Sequence, residues 1–302
     1  MSQRLQMLQV ARLARRSLGE SADLVTTFLR SLAVPAGGYR NRGGTADLYY
    51  TPFALDGLLA LDAFDVDALQ AAATRTYLDG FGAGDDLDFV HRCCLARAWA
   101  AFPAATCPEP RREAILAGLL RHRAADAGYA SRPGAARGNA YGCFLAVNAQ
   151  ADLRRPLAPG NAEAEAIAAC VMALRTEDGG WSNEPGRRAG STTATAAAVA
   201  TLRSLDRPVP SDAADWLLTR RHPAGGFSAA PDAPLPDLLS TAVALHALDA
   251  LDAPWRQWRD EMLDFIDSLW SAEGAFHGSW ADDEADAEYT FYGLVALGHC
   301  SV

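Results

Sequence analysis

A chain of 302 residues, half of them hydrophobic, is long enough to bury one large core or two small ones. Its formal charge of -10 and its pI near 5.0 argue against nucleic acid or an anionic membrane surface as the main partner. Six cysteines without a CxxC pair predict neither a disulfide scaffold nor a zinc ribbon. No apolar run approaches the roughly 20 residues of a membrane span, so we expect a cytoplasmic protein.

The first 20 residues carry four arginines among aliphatic side chains and lack a small-residue cleavage site. This composition is typical of an amphipathic helix and not of a signal peptide. We therefore predict a lead-in helix over 1–20 that packs on the start of a single domain over 21–302.

Six glycine-marked turns follow at steps of about 45 to 51 residues, which is the spacing of stacked helical repeats. The helix before each turn has one apolar and one charged face; these helices are predicted at 23–32, 66–78, 110–122, 162–174, 212–221 and 258–270. The helix after each turn is nearly free of charge; these helices are predicted at 48–61, 88–102, 139–150, 192–205, 238–251 and 287–299. No sustained alternation predicts a strand.

A helix that is apolar on all sides must be buried on all sides. Six such helices, each preceded by a half-exposed one, predict an all-α protein: an α/α toroid (α6-α6 barrel) of six helical-hairpin repeats. An open solenoid fits the same period, but it would normally leave a polar concave face that these helices lack. Closure is therefore the favoured arrangement.

Closure would direct all six inner N-termini to one end of a central cavity, where their unpaired N–H groups favour anions. Aromatic residues would form the walls below: Tyr49, Tyr50, Phe53, Phe89, Tyr141, Phe144, Phe291 and Tyr292. Such a well suits a prenyl diphosphate or another isoprenoid. The alternative is that these aromatics only fill the core. His246, within an apolar helix, is predicted to be a core or cavity-lining residue.

Three stretches of the chain resemble a known family: PAGGYRNRGGTADLYYTPFALDGLLAL at 35–61, RRHPAGGFSAAPDAPLPDLLSTAVAL at 220–245 and DAEYTFYGLVAL at 286–297. With the repeats, they resemble the prenyltransferase and squalene/terpene-cyclase toroid superfamily. The greatest likeness is to the β subunit of Rab geranylgeranyltransferase. The resemblance implies an isoprenoid-handling enzyme and leaves a protein partner subunit open.

The resemblance also implies where a catalytic zinc would be held. The family's Asp, Cys and His ligands fall on Asp237, Leu239 and Tyr289, and leucine is not a zinc ligand. We therefore expect no metal, with Asp237 as a remnant ligand position, although zinc or magnesium stays open as a cofactor. The family's basic contact to the diphosphate falls in the loop of Arg187 and Arg188, and the alternative is that this loop is only solvated.

The cyclase branch of the superfamily protonates its substrate with an aspartate at the start of an inner helix. Asp286 and Glu288 resemble the outer acids of that motif, with Glu288 as the candidate acid and Asp286 as its partner. A carboxyl group in a dry cavity has a raised pKa and can donate a proton to an alkene.

The simpler interpretation of Asp237 and Asp286 is that they cap inner helices, as Asp47, Asp88 and Asn139 would. His277, near Asp282 in sequence, is a less favoured candidate metal ligand. Arg42, in the first glycine loop, is predicted to face solvent. Three functions stay open: a prenyltransferase-like enzyme without the usual zinc, a protonation-initiated terpene cyclase, and a non-catalytic lipid- or protein-binding toroid.

Overall fold

A lead-in helix and six helical hairpins make up the computed structural model, which describes residues 2–66 and 68–302. Met1 and Asp67, which two of the predicted helices include, lie outside the described residues. After α1 (Gln3–Leu18), the outer helices are α2 (Ala22–Ser31), α4 (Leu69–Asp79), α6 (Glu109–Leu119), α8 (Ala162–Met172), α10 (Ala213–Leu218) and α12 (Arg259–Ser268). The inner helices are α3 (Thr51–Ala60), α5 (Phe89–Trp99), α7 (Ala140–Asp152), α9 (Thr192–Ser204), α11 (Leu238–Ala250) and α13 (Ala287–Cys300).

The inner helices form a closed ring, because each contacts the next and α13 contacts α3. At the seam, the turn of the sixth repeat meets the outer helix of the first repeat. A Cβ atom on Gly274 would lie 2.5 Å from the backbone of Leu24 in α2, and the φ of Gly274 is 83°. Only glycine allows this approach without strain. The predicted toroid, and its closure, are confirmed.

In five of the six repeats, the aromatic residue of the glycine turn is fastened to the inner helix that follows. Its backbone N–H donates to a buried threonine hydroxyl in four repeats: Tyr39 to Thr51, Trp181 to Thr195, Phe227 to Thr241 and Phe276 to Thr290. In the third repeat Tyr129 donates to Cys143 Sγ at 3.4 Å. Satisfying a buried amide in this way fixes where each inner helix starts.

Two short antiparallel strand pairs occur in these turns, although the sequence predicted no strand. They are β1 (Phe227–Ser228) with β2 (Pro236–Asp237), and β3 (Trp270–Ser271) with β4 (Ala275–Phe276). A strand of two residues is too short to produce an alternating pattern of polar and apolar side chains.

Five of the six inner helices are capped at their N-termini by polar side chains. The exception is α3, whose N-cap is Tyr50 without a side-chain hydrogen bond, so the prediction that Asp47 caps this helix is wrong. Asp88, Asn139, Asp237 and Asp286 each accept a hydrogen bond from the backbone amide three residues on, as predicted, and Ser191 does so for α9. These caps lie at one end of the ring, which we call the rim.

Helix α1 crosses the opposite end of the ring, which we call the far end. It packs on α13, α3 and α7, so its contacts extend well beyond the first repeat. Arg15 and Arg4 donate to the carbonyls of Leu61 and Ala100, just past the C-termini of α3 and α5. Arg4 also pairs with the buried Asp56. None of the described helices is long and apolar enough to cross a bilayer.

Candidate active site

A cavity of about 840 Å³ lies inside the inner ring, a volume typical of ligand sites. Helices α9 and α11 contribute small and aliphatic side chains to its wall, such as Ala196, Ala197 and Val243, which leaves the space open. Helix α1 contributes Met7 and Leu13. The lead-in helix is thus part of the cavity wall.

Aromatic side chains cover part of the wall nearest the rim. Of the predicted substrate-binding residues, Tyr49, Tyr141, Phe144 and Tyr292 line the cavity. Tyr50 packs edge-on against Tyr49, with ring centroids 5.4 Å apart. Phe53 is buried beneath the guanidinium of Arg97, which lies 4.4 Å from the ring centroid. Neither Tyr50 nor Phe53 is a lining residue.

Glu288 is the acid that the structure brings into this aromatic wall. Tyr49 Oη donates a hydrogen bond to Glu288 Oε1 at 2.8 Å. Burial is the main reason that the pKa of Glu288 rises to about 7, and the negative charge of Asp286 raises it further; the hydrogen bond from Tyr49 opposes the shift. At neutral pH about half of the Glu288 carboxyl groups therefore carry a proton.

Asp286 is held differently from Glu288, although the two are neighbours in sequence. Arg42 Nε donates to Asp286 Oδ2 at 2.7 Å, and the amide of Tyr289 donates to Oδ1 at 2.9 Å. Both oxygens of Asp286 thus accept hydrogen bonds, and Asp286 serves as a helix cap and as an ion-pair partner of Arg42. It influences Glu288 through its charge.

Arg42 links the first glycine loop to the last one. Its Nη1 and Nη2 atoms donate to both carboxylate oxygens of Asp282 at 2.9 and 2.7 Å, in addition to the bond with Asp286. Arg42 is exposed, as predicted, but its guanidinium is also held by these partners on the loop across the seam of the ring. A sequence shows no signal for a contact between residues 240 positions apart.

The zinc-ligand positions of the resemblance do not form a zinc site. Asp237 caps α11, accepting from the amide of Ser240 at 2.7 Å; burial raises its pKa. Leu239 lines the cavity without a donor atom. Tyr289 lies under the guanidinium of Arg42, 5.6 Å from it. One carboxylate among these three does not fit zinc, and we derive no step through a metal.

His277 does not join a metal-ligand cluster. Within residues 2–66 and 68–302, no group of three or more His, Cys, Asp or Glu side chains could hold a metal ion. The backbone of His277 pairs with Ala285, and the structure gives its Nδ1 atom no partner in the described chain.

Arg187 and Arg188 lie in an exposed loop and are not among the lining residues of the cavity. Arg187 pairs with Glu184 in the same loop, and Arg188 lies 3.8 Å from Glu177. The structure therefore does not bring these two arginines together with Glu288.

The far end of the cavity holds a chain of polar groups, of which the sequence predicted only His246 as a core or cavity-lining residue. His246 and His299 both line the cavity, and His246 Nδ1 lies 3.0 Å from His299 Nε2. His299 Nδ1 lies 2.5 Å from Asp249 Oδ2. The only signal in the sequence is that His246 and Asp249 interrupt an otherwise apolar helix.

The model of the prenyltransferase alpha-alpha toroid domain matches residues 119–212 and 198–300. Because these matches together cover more than half of the chain, the protein belongs to this family. A sequence comparison with curated proteins finds no match.

Solved structures with the same fold include proteins of two classes. Candida albicans protein geranylgeranyltransferase-I complexed with GGPP superimposes with a TM-score of 0.70 at 13% identity, over 91% of this chain and 90% of that one. A variant of the Scytonema type II terpene cyclase MstE superimposes with a TM-score of 0.60 at 13% identity, over 95% and 97% of the two chains. At these identities the likeness shows the fold alone.

Proposed function

We propose that the protein binds an isoprenoid in the central cavity and that Glu288 protonates a carbon–carbon double bond of the bound molecule. The observation that carries this proposal is the placement of Glu288: a carboxyl group with its pKa near 7, in an aromatic wall and hydrogen-bonded to Tyr49. The proposal makes the protein a protonation-initiated, terpene cyclase-like enzyme.

The chemistry is a transfer of one proton. The alkene π electrons form a new C–H bond with the Glu288 proton, which leaves a carbocation on the substrate and a carboxylate on Glu288. The hydroxyl of Tyr49 stabilises that carboxylate by donating to it. The aromatic faces of Tyr141 and Tyr292 stabilise the cation, which a second double bond attacks to close a ring. Loss of a proton from a neighbouring carbon to water ends the reaction, and water reprotonates Glu288.

Transfer of a prenyl group from a diphosphate has less support. Glu288 lines the cavity near the rim, where a diphosphate would sit, and its carboxylate form would repel a diphosphate. Arg187 and Arg188, the arginines expected to bind the diphosphate, lie outside the cavity lining. Structures of geranylgeranyltransferase-I with GGPP and of the cyclase MstE with a geranylgeranyl substrate support an isoprenoid as the ligand class.

Product analysis tests the proposal. The protein is incubated in D₂O with farnesol, geranylgeraniol and their diphosphates, and the products are identified by gas chromatography and mass spectrometry. We expect a cyclic product that carries one deuterium on carbon. Glu288→Gln keeps the shape of the side chain but has no acidic proton, so turnover should fall about 10² to 10⁴-fold.

The matched control is Glu284→Gln, an exposed residue of the same segment that should keep full turnover. Release of diphosphate with no deuterium in the product would contradict protonation and favour transfer. Binding without any product would favour a non-catalytic toroid.

A further inference from the structure

One ring nitrogen at the far end of the cavity is buried without a partner. His246 is 8% exposed, and its Nδ1 atom faces His299. Its Nε2 atom has no hydrogen-bond partner in the part of the chain that the structure describes. A buried polar atom left unpaired costs free energy, so a native structure that keeps one calls for an explanation.

The hydrogen-bond chain determines whether Nε2 of His246 is a donor or an acceptor. Trp255 Nε1 and Arg256 Nη1 both contact Asp249 Oδ1, at 2.7 and 2.9 Å. Burial alone would raise the pKa of Asp249, but the bond with His299 and these neighbours outweigh burial and lower it. Asp249 is therefore a carboxylate, and its Oδ2 accepts a hydrogen bond from His299 Nδ1.

The remaining protons follow from that bond. In the neutral form of His299 that donates from Nδ1, the Nε2 atom has a lone pair, and His246 donates to it from Nδ1. Burial, and then the neighbouring His299, lower the pKa of His246 to about 3, which keeps its ring neutral. Nε2 of His246 is left as a hydrogen-bond acceptor.

We propose that Asp249, His299 and His246 form a binding site for the hydroxyl group of an isoprenoid alcohol or phenol. The proposal rests on the proposed function in one respect: the cavity must hold an isoprenoid. Glu288 and His299 lie eleven residues apart on α13, a separation of about 16 Å along the helix. The bound molecule would thus place its hydroxyl at the far end and a double bond beside Glu288.

The chemistry of the site favours a hydroxyl over other polar groups. An ether or a hydrocarbon has no proton to donate to Nε2 and would leave that atom unpaired. A diphosphate would bring negative charge toward the lone pair on His246 Nε2, which is connected through His299 to the Asp249 carboxylate. An alcohol or phenol donates one hydrogen bond without a charge.

Binding measurements on the full chain test the assignment. Farnesol and farnesyl methyl ether are titrated into the Glu288→Gln variant, so that neither ligand is consumed. We expect farnesol to bind about tenfold more tightly than its ether. Equal affinities, or a preference for farnesyl diphosphate, would overturn the assignment.

Asp249→Asn is the informative second variant, because it has nearly the same shape. The donors Trp255 and Arg256 require an oxygen at the Oδ1 position, so the amide NH₂ of the asparagine would face His299. His299 would then carry its proton on Nε2 and donate to His246, whose Nε2 would become a donor. The preference for farnesol over the ether should disappear or reverse.

His246→Phe supplies an independent check if Asp249→Asn does not fold, since it removes the acceptor and should abolish the preference. A preference that survives in either folded variant would overturn the assignment. The two proposals fail separately. Cyclic, deuterated products without a preference for farnesol would contradict the hydroxyl-binding site alone. A preference for farnesol without turnover would contradict only the protonation by Glu288. Failure of every isoprenoid to bind would overturn both.

Discussion

The two ends of the cavity carry acids in opposite situations. At the rim, Glu288 lies in an aromatic wall with Tyr49 as its donor, and burial raises its pKa to about 7. At the far end, Asp249 is surrounded by donors, and its pKa is lowered. One ring of similar helices can thus hold one carboxyl group ready to give up a proton and another that stays charged.

The arginine pairs differ between the ends as well. Asp56 is buried between Arg4 of the lead-in helix and Arg97 of the wall, with bonds of 2.7 and 2.8 Å. At the rim, Arg42 joins two loops and is partly exposed. The closure of the far end by α1 therefore depends on the buried charges of Asp56 and its arginines. The rim depends on the helix caps and on the hydrogen bonds from turn amides to threonine hydroxyls.

The largest effect should come from Asp56→Asn, because it leaves two arginines without their shared negative charge. Removing one member of a buried charge network costs about 3 to 5 kcal/mol of unfolding free energy. Urea denaturation measures the loss. Asp62→Asn removes an exposed partner of Arg15 and should cost less than about 0.5 kcal/mol. Equal stabilities of the two variants would show that Asp56 does not secure the far end.

A smaller effect is expected at the rim from Thr241→Val. The change keeps the shape of the side chain but leaves the buried N–H of Phe227 without its acceptor. We expect a loss of about 1 to 3 kcal/mol in the same denaturation experiment. Thr27→Val, on the exposed face of α2, is the matched control. If Thr241→Val loses no more unfolding free energy than the control, the hydrogen bonds from turn amides to threonine hydroxyls do not stabilise the rim.

The smallest effect concerns Tyr49→Phe, which removes the hydrogen bond to Glu288. Since this bond lowers the pKa of Glu288, its removal should move the pH at which activity is half lost above the wild-type value near 7. Turnover should fall about tenfold, because the carboxylate formed in the reaction loses its donor. Tyr77→Phe, on the outer helix α4, should match the wild type. An unchanged pH profile in Tyr49→Phe would show that Tyr49 does not influence the pKa of Glu288.

Local patterns were sufficient to predict the scaffold. Apolar helices that repeat after glycine turns predicted the inner ring, and Asp237 and Asp286 were recognised as caps because capping depends on neighbouring residues. Glu288 could be proposed because it follows Asp286 at the start of an inner helix. The raised pKa of Glu288 could not be predicted, because it depends on burial that only the closed ring creates.

Contacts between distant segments could not be predicted from the sequence. His246 and His299 are 53 positions apart, and nothing in either helix indicates that their rings meet. The lead-in helix was predicted as amphipathic, yet its position across the far end depends on Arg4 reaching Asp56. For Arg187 and Arg188 the family resemblance implies contact with a diphosphate, and a solvated loop is the alternative; their side chains pair with glutamates of their own loop or lie near them.

The most direct test of the central claim is a titration of the Glu288 carboxyl group itself. The chain is labelled with ¹³C at glutamate side chains, and the Glu288 signal is assigned by its absence in Glu288→Gln. We predict a midpoint near pH 7, so that the proton is still present when substrate binds near neutrality. A midpoint near the ordinary glutamate value of 4.5 would contradict the account, because Glu288 would then be a carboxylate with no proton to give.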